Sequence, residues 1–288
     1  MKTLYTLGTV QLGMPYGISN RSGQPSREIA RQMLDTAYDL GVRALDTASD
    51  YGTSEEILGN ERAPDKFHIT SKFSIGKNDP QEAFSRQLKQ TLARLRTDHI
   101  AYYLFHSASE MIAYADTLET DLCKAVMKGS IGTVGASVYT CREIEDFLTH
   151  PYLRAIQLPM SVLDQRPLAL IERLAERDIK VFVRSVFLQG LLCMETLPER
   201  CKVAARYFSY LQTLARENNI SVMQLAVSFI RDLPGVTSVV LGSETVEQIR
   251  SNAALLKGPA LSSDLRQELE RFGREIPGEE IMQEVIGH

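Results

Sequence analysis

The chain has 288 residues, 24% of them charged, and a net charge of −4, with a sequence pI of about 5.8. Its basic residues are scattered rather than gathered into a patch, which argues against a nucleic-acid-binding protein. No apolar run approaches the ~20 residues that cross a bilayer, so no membrane span is expected.

The elements alternate along the chain. Leu4–Leu7 reads as a strand, followed by an amphipathic helix over Pro25–Leu40 with Ser26 as N-cap and Gly41 at its end. Strand Val42–Asp46 precedes a short helix over Thr53–Leu58, and strand Phe67–Lys72 precedes Pro80–Arg96, where Phe84, Leu88, Leu92 and Leu95 keep helical spacing. Strand Ile100–His106 leads to helix Ala113–Lys128, and strand Ile131–Ser137 to a helix near Thr140–Leu148. Strand Ala155–Leu158, helix Pro167–Arg177 and strand Lys180–Ser185 come next. Helical patterns over Ala204–Glu217 and Val222–Arg231, a last strand Val236–Leu241, and helices over Thr245–Leu255 and Ser263–Phe272 close the chain.

Eight strands alternating with helices, without a linker or a composition break, require a parallel sheet covered by helices. The count predicts one α/β domain over residues 1–288, a closed (β/α)8 TIM barrel with its active site at the carboxyl ends of the strands. An open doubly wound sheet would carry a GxGxxG turn after its first strand, and Thr6–Gly17 does not fit that pattern. The N-terminus lacks a signal peptide's apolar region, and Cys123, Cys141, Cys193 and Cys201 show no CxxC spacing. A cytoplasmic protein with reduced thiols is the expectation.

Four polar residues fall at or just beyond predicted strand ends: Asp46, Lys72, His106 and, five residues after Asp46, Tyr51. In a parallel barrel they converge on one pocket. A carboxylate, an ammonium, an imidazole and a phenol brought together there can deliver a proton, which predicts an enzyme. His68, His99, His150 and His288 have no comparable context and read as structural or surface residues.

The same residues carry a resemblance. LDTASDYGTSEEILG (Leu45–Gly59), SKF (Ser71–Phe73), LFH (Leu104–His106), GASVY (Gly135–Tyr139), QLPMSVLDQ (Gln157–Gln165) and VLGSETVEQIRSN (Val240–Asn252) occur in order, each on a predicted strand end. Together with Gly8 and Thr9 they resemble the aldo-keto reductase superfamily nearly end to end. The resemblance implies NAD(P)H-dependent reduction of an aldehyde or ketone, with catalytic Asp46, Tyr51, Lys72 and His106. The chemistry is consistent. Hydride reaching a carbonyl carbon leaves charge on the oxygen, which needs a proton. A free phenol, with a pKa of ~10, is a weak acid for that purpose, and a neighbouring ammonium improves it.

For the cofactor the resemblance implies contacts from Gly8, Thr9, Ser137 and Gln157, with Val138 where the family places an Asn. Arg184 and Ser185 stand where an aromatic residue normally stacks on the nicotinamide; a guanidinium plane can also stack. Phe187, Gln189 and Gly190 lie in the segment resembling the family's pyrophosphate loop. Gly242, Ser243, Glu244, Thr245, Gln248 and Asn252 correspond to the ribose and adenine end. The family default favours NADP(H), whereas Glu244 and Gln248, in place of basic residues, leave NAD(H) open. With no Trp in the chain, a small or polar carbonyl, including a sugar derivative, suits the pocket better than a bulky apolar one. The alternatives are a nucleotide-sensing binding subunit on the same fold, for which no docking extension precedes the first strand, and a metal-dependent barrel enzyme, which would need more ligands than Asp46 and His106. Oligomeric state stays open.

Overall fold

Strand β1 (Leu4–Gly8) pairs in parallel with both β2 (Ala44–Asp46) and β8 (Val236–Gly242), and this double pairing closes an eight-stranded barrel in the order β1 to β8. The computed structural model describes residues 4–17, 20, 23–77 and 79–286; His288 lies outside them. The other strands are β3 (His68–Phe73), β4 (Ile100–Phe105), β5 (Ile131–Ser137), β6 (Ala155–Pro159) and β7 (Lys180–Arg184), every neighbouring pair parallel.

The helices run outside. Those that sequence periodicity predicts are present, with ends moved by at most five residues: α2 (Arg27–Asp39), α3 (Ser54–Asn60), α4 (Pro80–Leu95), α5 (Ala108–Met127), α6 (Cys141–Phe147), α7 (Leu168–Glu176), α8 (Lys202–Glu217), α9 (Val222–Arg231), α10 (Val246–Lys257) and α11 (Ser263–Gly273). Their starts have chemical causes. Ser26 and Asp79 accept backbone N–H bonds at the heads of α2 and α4, and Thr140 with Glu143 forms a reciprocal capping box on α6.

Two helices escape the sequence reading. The single turn α1 (Val10–Gly13) directly follows β1, and α12 (Gly278–Ile286) ends the described chain. Helix α12 buries Ile281, Met282 and Val285. Its Glu284 carboxylate accepts the Val203 and Ala204 amides. That contact supplies the cap that Cys201 does not give α8.

The barrel interior is filled by Leu104, Ala155, Phe182 and Val240, with Tyr102 against Phe182. Beside them Thr6, level with Val240, and Ser238, level with Phe182, join hydroxyls at 2.6 Å. Gly135 is required at this level: a Cβ there would stand 1.7 Å from the Ala155 carbonyl oxygen. Register then sets the rim. Gly8 lies level with Asp46 and Gly242, Lys72 with Leu104, and Ser137 with Gln157.

Candidate active site

Asp46 is the last residue of β2 and Lys72 the fifth of β3, so both side chains reach the carboxyl-terminal mouth of the barrel. They are 4% and 1% exposed, an arrangement that is stable only if each ion finds its partner. Lys72 Nζ donates to both Asp46 oxygens, at 2.9 and 2.8 Å, to the Thr47 carbonyl at 2.9 Å and to the Tyr51 hydroxyl at 3.3 Å. Burial by itself would drive the ammonium to lose its proton. The charge of Asp46, then that of Tyr51, and hydrogen bonds to both outweigh burial, and the Lys72 pKa lies above its ordinary value. Gln157 completes the Asp46 shell, its amide donating to Oδ1 at 2.6 Å.

Tyr51 is positioned by a backbone contact. Gly13, in α1, leaves no room for a side chain, because a Cβ would fall 1.8 Å from the Tyr51 carbonyl oxygen. Gly52 adopts φ +54 facing the Gly13 carbonyl, and Thr53 N–H donates to that carbonyl. Two glycines thus let α1 press on the loop that carries Tyr51. His106 follows β4 and meets Tyr51 edge to face, with ring centroids 5.6 Å apart. The structure therefore brings together all four predicted catalytic side chains.

The predicted cofactor residues divide into two sets. Ser137 and Gln157 face the barrel mouth from adjacent strands. With its amide nitrogen on Asp46, Gln157 presents its carbonyl oxygen as an acceptor. Thr9 stands behind the site, donating to the Asp46 main-chain carbonyl at 2.8 Å and meeting the Ser54 hydroxyl at 2.9 Å. Arg184 leans on the Tyr139 ring, its guanidinium carbon 4.2 Å from the centroid, and donates to the Ser185 hydroxyl and the Val138 carbonyl, both at 3.4 Å.

The segment from Ser185 to Gly190 is a tight turn, with positive φ at Ser185, Leu188, Gln189 and Gly190. Phe187 packs against the core beside buried Leu188, and Gly190 N–H is bonded to the Phe187 carbonyl. At the end of β8, Thr245 caps α10 by accepting from Gln248 N–H, and Gln248 in turn accepts from Glu244 N–H at 2.6 Å. Asn252 donates to the Ser243 hydroxyl and the Gly242 carbonyl. Tyr5 lies beneath this pair without a well-formed hydrogen bond of its own, and burial pushes its phenol up to about 12. Glu244 is partly desolvated, which raises its carboxyl above the ordinary range.

Two residues of the site, Gln11 and Asp50, escape the sequence reading. Gln11 is buried in α1 against Gly242, and its carbonyl oxygen has no partner among the described residues. A single amide side chain in the run TLGTVQLG was the available signal. Asp50, immediately before Tyr51, binds His106. Tyr16 senses the charges of Tyr51, Arg184, Tyr139 and Lys72, and its phenol is raised chiefly by burial. The donors and acceptors around the mouth suit a nicotinamide dinucleotide: amide-directed groups at Ser137 and Gln157, an unpaired buried oxygen at Gln11, and a hydroxyl, amide and carboxylate cluster at β8.

A closed parallel barrel with an ion-paired lysine touching a tyrosine at its mouth defines the class, an NAD(P)-dependent oxidoreductase. The model of the aldo/keto reductase family matches residues 6–273, and the chain belongs to that family. An uncharacterized oxidoreductase, YqkF, from Bacillus subtilis (strain 168) is 27% identical, covering 85% of this chain and 88% of that protein. An NADH-specific methylglyoxal reductase from Escherichia coli (strain K12) is 25% identical, covering 87% and 88%. The holo form of the aldo-keto reductase AKR11C1 from Bacillus halodurans superposes with a TM-score of 0.77 at 24% identity, covering 93% of this chain and 91% of that one, and shares the fold. No helix among the described residues is long and apolar enough to cross a membrane.

Proposed function

We propose that the protein reduces a small, polar aldehyde or ketone, such as a hydroxylated or sugar-derived carbonyl, with Tyr51 as proton donor and NADH as the preferred cofactor. The observation that carries this reading is Lys72 bridging Asp46 and the Tyr51 hydroxyl at the barrel mouth. When bound, the nicotinamide supplies hydride to the carbonyl carbon.

The protein's own groups do the rest. Tyr51 gives its phenolic proton to the carbonyl oxygen, and the adjacent ammonium stabilises the phenolate left behind. Asp46 keeps that ammonium charged although it is buried. Gln157 holds Asp46 in place and offers its free oxygen, with the Ser137 hydroxyl, to a carboxamide. His106, its ring edge to face with that of Tyr51, orients the reacting oxygen.

NADP(H) is the family's default expectation. NADH is supported instead by the Glu244 carboxylate, which repels a 2′-phosphate and can accept from a free 2′-hydroxyl, and by the NADH specificity of the Escherichia coli relative. Tyr16, Tyr139 and Arg184, with no Trp anywhere in the chain, make the pocket wall polar and cationic. That wall suits a hydroxylated substrate.

Oxidation of NADH and NADPH, followed in parallel against aldehydes from aryl aldehydes to sugars, tests the proposal. Turnover with NADH on polar aldehydes, absent in Tyr51→Phe, is the expected result. A preference for NADPH and bulky apolar ketones would overturn it.

A further inference from the structure

Helix α12 begins at Gly278, past Gly273, where the match to the family ends. It joins the loops that follow β6 and β7. At its start, Gly278 lies so close to the loop after β6 that a Cβ would stand 2.6 Å from Asp164 Oδ1. Arg166, paired with Asp164, reaches towards Glu279 at 3.8 Å. Near its other end, Glu284 accepts the Val203 amide on Oε1 at 2.9 Å and the Ala204 amide on Oε2 at 3.1 Å. Ile281, Met282 and Val285 are buried, so apolar packing holds the helix in place.

The head of α8 needs that carboxylate. Cys201, at its N-cap, makes no side-chain cap, and the first turn of α8 has no acidic residue. Two open amides and the positive end of the helix dipole are met instead by a residue 81 positions further along the chain. The same head is the far end of the segment that starts at Ser185. The near end is fixed in the sheet, where Arg184 pairs with Pro159. Just beyond it, Ser185, Leu188 and Gln189 hold φ of 60, 50 and 54. Residues with side chains keep that conformation only where their surroundings impose it. Leu188, Leu191 and Leu192 are buried, whereas residues 194–200 are exposed or half-buried and form neither helix nor strand. Burial thus secures the first half of the segment. The second half is tied down at buried Cys201 and at the capped head of α8.

We propose that α12 is a latch on the cofactor segment, residues 185–201, and that Glu284 is the positioning residue through which it acts. With α8 capped, the segment is already ordered when the dinucleotide arrives. Without the cap the first turn of α8 frays, and apparent affinity falls with the fraction of molecules left ordered. The loss appears mainly as faster release. The proposal rests on the assignment of Phe187, Gln189 and Gly190 to the cofactor.

The test compares wild type, Glu284→Ala and Glu284→Gln as full-length proteins. Amide hydrogen exchange read by mass spectrometry, with and without NADH, follows the segment directly. In wild type, NADH should slow exchange over residues 185–193. In free Glu284→Ala, residues 194–204 should exchange faster than in wild type, while residues 245–252 at the head of α10 stay unchanged. Release of NADH, followed by stopped-flow fluorescence, should speed up roughly 3- to 10-fold, the effect of an uncapped helix head. Glu284→Gln keeps an acceptor oxygen without the charge and should fall between. Single-turnover hydride transfer at saturating NADH should be unchanged in both variants, because neither alters Tyr51 or Lys72.

Wild-type NADH release from Glu284→Ala, or wild-type exchange over residues 194–204, overturns the latch. Faster exchange throughout the protein overturns it too, since Glu284 would then serve only overall stability. Failure of NADH to protect residues 185–193 in wild type would instead strike the assignment of the segment to the cofactor.

Discussion

Replacing both members of the buried Asp46–Lys72 pair should cost less stability than replacing either one. In Lys72→Met, the Asp46 carboxylate loses both ammonium bonds and keeps only Gln157. In Asp46→Leu, an ammonium 1% exposed keeps only the Thr47 carbonyl and Tyr51 hydroxyl. Breaking one side of a buried pair costs about 3–5 kcal/mol, whereas exchanging both partners for apolar groups is near neutral or stabilising. With an unfolding entropy of about 0.6 kcal/mol/K for 288 residues, each single variant should melt about 5–8 °C lower. The double variant should recover most of that loss. Thermal unfolding followed by far-UV circular dichroism gives both numbers.

The pH dependence supplies an internal control. In wild type the Lys72 pKa is raised, so its stabilisation is complete below the unfolded value of ~10.4 and fades only as pH climbs through the folded value. In Asp46→Leu, burial without a counter-charge depresses the folded pKa below ~10.4, and the penalty shrinks as pH rises, by about 1.4 kcal/mol per unit. From pH 7.5 to 9 the variant should regain stability relative to wild type, by up to about 2 kcal/mol. Additive losses in the double variant, or a pH-independent Asp46→Leu penalty, would refute the account of the pair as mutually dependent. All three variants should be catalytically impaired, because none presents the paired ammonium to Tyr51.

The remaining predictions are smaller in scope. Tyr51→Phe should bind nucleotide with unchanged affinity in a fluorescence titration and lose roughly 10²–10⁴-fold in kcat; wild-type kcat would remove Tyr51 from the mechanism. Glu244→Lys should raise the NADPH/NADH ratio of kcat/KM by about tenfold or more, since it replaces a repulsive charge by an attractive one. An unchanged ratio would misplace the ribose site. Gly13→Ala forces its Cβ into the Tyr51 carbonyl. It should cost about 1–3 kcal/mol of stability and roughly 100-fold in kcat/KM through displacement of Tyr51. Full activity in that variant would show that the Tyr51 loop is not set by this contact.

The barrel and the four converging side chains were legible in the sequence because both depend on local patterns. Apolar runs of strand length alternate with helical spacing, and Asp46, Lys72 and His106 sit at their ends. Short elements were not legible. Helix α1 has four residues, fewer than two turns and too few to show a period. The apolar residues Ile281, Met282 and Val285 of α12 are too few to stand out until α8 lies beside them. Within the cofactor set, sequence position could not separate Thr9, whose hydroxyl is turned to the Asp46 backbone, from Ser137 at the mouth. Nor could it show that Thr245 and Gln248 are engaged in building the turn that holds Glu244.

What the sequence conceals most completely is how the catalytic groups are held. Asp46, Lys72 and His106 inherit their places from strand register, and a one-residue slip in β3 would turn Lys72 out of the barrel. Tyr51 has no strand beneath it. Its place comes from Gly13 and Gly52, glycines 39 residues apart that look like ordinary loop residues in the sequence. Their contact leaves no space even for a methyl group. The proton donor is thus located by the absence of side chains at two positions, and the ammonium beside it by the presence of a carboxylate at a third. A close backbone approach has no compositional signature, so the placement of Tyr51 appears only once the chain is folded.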